Sequence, residues 1–292
     1  MNANDSPDRA TLATAAPALA EAEIVGISRR SFWDRNESII LGTGFIVLVI
    51  IIWQLVPSVL TLSKGMQLFF ATPTMVVGAI GELIESGKIW PAVQFSATAF
   101  GLGLGLAIVC GLPLGVILGR SRLLNDMFDP FITSINATPR LVFLPLILIW
   151  FGIGMFSVVV VVFIGALFPL LINTYEGVKN ADKLLINVVK SYGANEWEIN
   201  KLVVIPNSLP FIIAGMRLAI GRAVLGVVVA EFFGGSSKGI GVIMVRASGT
   251  FQVDVVFAGL IMFMAISLIL TGIVRAIEAR FSRWRPQQTK NY

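Results

Sequence analysis

The 292 residues are 56% apolar and only 13% charged, with a mean hydropathy of +0.85. That is about half the charge of a water-soluble domain, and so much apolar surface excludes a soluble fold. A single cysteine, Cys110, excludes an intrachain disulfide, and the absence of histidine removes the commonest metal ligand and general base.

Residues 1–38 are polar, Ala-rich and charged, without the short apolar core of a signal peptide. They read as a cytoplasmic tail, with 1–25 disordered. The first apolar run, 39–57, is long enough to cross a bilayer as a helix. Residues 58–94 are too polar to span and form an extracytoplasmic segment. Within it, 68–86 is expected as an amphipathic helix starting near Pro73. The second span, 95–118, repeats small residues in Gly101-x-x-x-Gly105 and Gly111-x-x-x-Gly115-x-x-x-Gly119. Such spacing lets helix backbones approach closely. Pro113 leaves a second reading open, a hinge. Third and fourth spans are expected at 141–156 and 157–175, separated only by the turn from Gly152 to Ser157. The fifth and sixth follow at 208–231 and 255–277, and 278–292 is a second cytoplasmic tail. Neither strands nor a fixed-period repeat are evident, and no G-x-x-x-x-G-K-[ST] loop is present for a P-loop ATPase. The fold class is all-α: a polytopic membrane protein with about six transmembrane helices.

The net charge of +5 is uneven. With the N-terminus inside, 16 of the 22 Lys and Arg fall in the tails and in the loops after the second and fourth spans. Only Lys64, Lys88, Lys238 and Arg246 fall outside, and Arg217 and Arg222 sit within a span. This bias places both termini in the cytoplasm. Contact with anionic lipid accounts for the basic excess, and no nucleic-acid partner is implied.

The cytoplasmic loop 177–207 is long for a connection between helices. Leu184, Leu185, Val188, Val189 and Tyr192 recur at helical spacing, with Lys183, Asn187 and Lys190 on the other face. Gly193 stands where a helix end takes a left-handed residue. Asn195 precedes Glu198 by three, as in a capping box. The second helix is expected to pass Trp197, Lys201 and Val204 and to end at Pro206. This pair of short helices with a glycine corner carries no catalytic set and suits docking to a soluble partner.

Gly193 followed by Val203-Val204-Ile205-Pro206 resembles half of the signature of binding-protein-dependent ABC importer permeases; the triplet E-A-A that opens it is Asn187-Val188-Val189 here. Phe128-Asp129-Pro130, Ala137-Thr138-Pro139, Leu144-Pro145-Leu146 and Trp150-Phe151-Gly152-Ile153-Gly154 are similar to the nitrate/sulfonate/taurine branch. So are Gly215-Met216-Arg217-Leu218-Ala219 and Val227-Val228-Val229-Ala230-Glu231. The likeness spans about 66–280. It implies a type I ABC importer permease fold in a bacterial inner (plasma) membrane, with 95–277 as permease core. It also implies a homodimer, a pair of ATPase subunits that carry ATP and Mg, and an extracytoplasmic solute-binding protein. The coupling residues it implies are Leu184, Leu185, Val188, Val189, Tyr192, Gly193, Ala194, Trp197 and Pro206. The chain itself would hold no cofactor and no catalytic residue, and a small anion such as a sulfonate, taurine or nitrate is the expected solute.

Arg217, Arg222 and Glu231 are pathway candidates, because a charge in mid-bilayer costs at least about 2.5–3.5 kcal/mol and faces protein or water. Pairing with carbonyls or acids of neighbouring helices is the other reading of the two arginines. Two further function classes compete. An ion-coupled secondary transporter often shows inverted repeats and mid-span carboxylates, neither evident here beyond Glu231. An intramembrane enzyme needs a nucleophile or metal set, which the spans lack.

Overall fold

The computed structural model describes residues 32–59 and 69–281. The predicted tail up to residue 31, Lys64, the start of the amphipathic helix at Leu68 and residues 282–292 lie outside the described residues. The chain divides into two units, 1–60 and 61–292. The first contains α1 (Phe32–Val59), whose stretch Ile40–Pro57 is long and apolar enough to cross a membrane.

In the second unit, α2 (Pro73–Glu85) begins where expected, with Pro73 in its first turn, and the Thr72 hydroxyl accepts from the Met75 N–H at 3.4 Å. Then come α3 (Ile89–Arg120), α4 (Arg122–Ala137), a 3-10 turn (Arg140–Phe143), α5 (Leu144–Phe151) and α6 (Met155–Lys179). After them come α7 (Lys183–Ser191), α8 (Glu196–Ile199) and a π turn (Asn200–Val204). It leads into α9 (Ile205–Phe232), α10 (Ile240–Gly249) and α11 (Val253–Phe281). Among the described residues five helices are long and apolar enough to span, six if the bent pair of α4 with residues 141–151 counts as one.

The expected third span, 141–156, is corrected in its bounds. Pro139 and Gly152 bound a short piece, and α5 has only 8 residues, about 12 Å of helix against about 30 Å of hydrocarbon, so the third candidate span is the bent pair of α4 with residues 141–151. The pair bends by 89°. Gly152 has φ +73, and its carbonyl takes the Ser157 hydroxyl, turning the chain into α6.

α6 forms the centre of the core, packed against α3 and α9. Val158, Val162, Ala166 and Leu170 of α6 are fully buried, as are Ala99, Ala107, Ala219 and Ala223 of its neighbours. The α3–α6 seam uses positions four apart: Ala99, Gly103, Ala107, Gly111, Gly115 and Gly119. A Cβ on Gly103 would lie 2.6 Å from Val162 Cβ, one on Gly115 2.6 Å from Thr174 Cβ, and one on Gly119 2.6 Å from Val178 Cβ. Only glycine admits this approach. Of the two expected small-residue faces, the second belongs to the seam. Gly101 and Gly105 of the first meet nothing within 4 Å, and Gly103 between them makes the contact.

Candidate functional site

The α7–α8 corner follows from its sequence. Asp182 caps α7, its carboxylate accepting from the Leu184 N–H at 2.8 Å. At the other end the Gly193 N–H reaches Lys190 O (3.0 Å) and the Ala194 N–H reaches Val189 O (3.3 Å). This is the paired closure that needs a left-handed residue, and Gly193 has φ +83. Asn195 and Glu198 form the full capping box of α8, at 2.9 and 2.8 Å.

Beyond α8 the expectation that Pro206 ends the helix is corrected. The helical path continues into α9. In the π turn the Ile205 N–H bonds Asn200 O, five residues back, and Pro206, which has no N–H to donate, follows directly on that wider turn.

Not every residue of the expected stripe faces outward. Leu184, Leu185, Val188 and Tyr192 are exposed, Tyr192 at 89%, and so is Trp197, whose ring lies 4.9 Å from Lys201 Nζ. Val189 and Ala194, with Ile186, are half-buried against Val178, Ala181, Ile199 and Val204. Val189 sits about 100° round the helix from Val188, which turns it inward as an anchor. Pro206 is exposed. An ion triad holds the corner to the spans: Glu196 of α8 pairs with Arg120 at the end of α3, and with Lys190 of α7 at 3.4 Å.

The three intramembrane charges separate. Glu231 is 2% exposed. Its carboxylate accepts the Ser96 hydroxyl of α3 at 2.6 Å and the Gly241 N–H of α10 at 2.7 Å, and Ser96 Oγ in turn accepts the Ile240 N–H at 3.1 Å. Glu231 and Ser96 together satisfy two of the unpaired N–H groups at the start of α10, where the peptide dipoles favour an anion. A Cβ on Gly239 (φ +126) would collide with that carboxylate. Arg217 is half-buried and pairs with Glu278 of α11. Arg222 is exposed, without a polar partner among the described residues. It stands on a face of α9 with Phe211, Leu218 and Leu225, all exposed.

Sequence reasoning did not find Ser96, Glu278, Arg120 or Glu196 as partners. Glu196 and Arg120 share the predicted cytoplasmic side, which is a usable signal. Ser96, one residue among many small ones, carries none.

Comparison with known proteins agrees with this architecture. The chain is 33% identical over 237 residues to a Bacillus subtilis protein named for aliphatic sulfonates transport, permease protein SsuC, covering 81% of this chain and 84% of that one. It is 28% identical over 258 residues to the taurine transport system permease protein TauC of Escherichia coli, covering 86% and 92%. Its fold is similar to a chain of the MetNI methionine ABC transporter in an inward-facing conformation, with a TM-score of 0.50 and 19% identity over 74% of this chain and 99% of that one. The expected type I ABC importer permease fold is thus observed. A family model for the binding-protein-dependent transport system inner membrane component matches residues 111–283, more than half of this multi-pass membrane protein, and the chain belongs to that family.

Proposed function

We propose that the chain is the membrane subunit of an ATP-driven importer for a small sulfonate-like anion, works as a homodimer, and docks its ATPase on the α7–α8 corner. The observation that carries this is the two-sided construction of α7. One side exposes Leu184, Leu185, Val188 and Tyr192, while the other is locked down by Val189, Ile186 and Ala194. Water does not stabilise such a face, and a fixed apolar patch beside a polar rim marks a protein interface. Force applied there would reach α3 through Glu196 and Arg120. ATP and Mg belong to the partner, and both termini lie in the cytoplasm.

The relatives named for sulfonates and taurine support an anionic solute delivered by an extracytoplasmic binding protein. The exposed face of α9 suits a second copy of the chain, which would bring two Arg222 side chains toward one pathway. Arg217 and Glu231, engaged within the chain, serve the scaffold. The test is co-purification. With the wild-type chain an ATPase pair is retained in mild detergent. With Leu185→Asp the chain still inserts and the ATPase is lost. Equal retention by both would remove the corner as the docking site.

A further inference from the structure

The orienting rule accounts for how many cations lie on one side of the bilayer, but not for their convergence. A cavity of about 710 Å³ opens between the ends of α3 and α6 and the first turns of α4 and α7. Arg120, Arg122, Lys179 and Lys183 line it, against one carboxylate, Asp126. Its floor is apolar: Leu118, Val178 and Ala181 are buried. The pairing of the cations is incomplete. Arg120 is taken by Glu196. Arg122 lies 3.6 Å from Asp126, with its side chain 96% exposed. Lys179 reaches only the neutral Tyr175 hydroxyl, at 3.0 Å, and Lys183 has no polar partner among the described residues. Asp129 and Glu176 lie near Lys179, yet neither lines the cavity or pairs with it. Arg122 and Lys183 are moreover the first residues of their helices, where the peptide dipoles disfavour a cation.

We infer that this cavity binds a phosphate group, in the form of an anionic phospholipid headgroup whose glycerol and upper chain lie on the apolar floor. A basic rim over an apolar base at the ends of membrane helices has the chemistry such headgroups recognise. The site lies behind α7, on the face opposite Leu184 and Tyr192, so an occupied cavity braces the proposed docking helix from the membrane side. The binding itself does not depend on the importer reading.

The test is native mass spectrometry of the full chain, with phosphatidylglycerol and phosphatidylcholine as probes at equal concentration. The wild-type chain retains phosphatidylglycerol preferentially. The double variant Lys179→Gln with Lys183→Gln loses that preference about thirtyfold, from roughly 1 kcal/mol per cation near an anionic headgroup. Lys88→Gln with Lys238→Gln, the same change of charge elsewhere, keeps it. Lys183→Gln alone shows a smaller loss and serves if the double variant does not accumulate. Inorganic phosphate that displaces the lipid from the wild-type chain identifies a free phosphate as a second source of the same chemistry; failure to displace it restricts the site to the lipid. Equal losses in the cavity variant and the Lys88/Lys238 control, or no loss in either, overturn the inference.

Discussion

At the residue scale, Glu231 shows how a buried charge is tolerated. Its oxygens meet the Ser96 hydroxyl and the Gly241 N–H, which joins α9, α3 and the start of α10 at one point. Removing it leaves those donors without their acceptor and opens a void. Each hydrogen bond to a charged group is worth about 1.5–3 kcal/mol, so Glu231→Ala is expected to destabilise by roughly 3 kcal/mol. Glu231→Gln keeps one acceptor and costs about half of that. Thermal unfolding in detergent should rank wild type above Gln and Gln above Ala; equal midpoints for wild type and Ala would show that the carboxylate holds nothing together. The residue was legible as a charge at the end of a span, and its partners were not. Ser96 lies 135 positions away and α10 is a short helix that no charge pattern announces.

At the scale of elements, the α3–α6 seam separates pattern from contact. Gly115→Leu forces a side chain into Thr174 and the Leu171 carbonyl, where even a Cβ would lie 2.6 and 2.8 Å away, whereas Gly105 faces open space. Overpacking costs about 1–3 kcal/mol or more. Gly115→Leu should therefore fall well below wild type in folded yield and thermal midpoint, with Gly105→Leu unchanged. Equal behaviour of the two variants would refute the seam. The sequence showed glycines at spacing four in two registers, and only the partner helix decides which register is used. The α7–α8 corner was far more legible. Asp182, Gly193, Asn195 and Glu198 act through their own backbone neighbourhood, so local rules suffice. Pro206 misled because the π turn before it absorbs the missing donor. Val189 misled because its inward turn depends on Val178 and Ile199. At Gly193 a Cβ meets nothing within 4 Å, so only φ +83 opposes substitution. A left-handed residue other than glycine costs about 1–2 kcal/mol, more if β-branched. Gly193→Val should leave insertion intact and uncouple ATP hydrolysis from uptake; normal coupling in that variant would show that the corner tolerates another path.

For the whole molecule, hydropathy and charge made the membrane architecture readable, because lipid imposes length and polarity on every span. The bent α4–α5 region escaped that reading. A break at Pro139 and Gly152 leaves composition unchanged while it destroys length. The central claim is that this chain moves its solute only when an ATPase acts on the α7–α8 corner. The direct measurement is uptake of labelled taurine or an aliphatic sulfonate into liposomes carrying the purified chain. Uptake is compared with and without the ATPase pair, ATP with Mg, and the binding protein. The account predicts uptake with the full set, none when ATP or the ATPase is omitted, and hydrolysis stimulated by loaded binding protein. Uptake by the chain alone, driven by an imposed ion gradient, would contradict it and make the protein a secondary transporter.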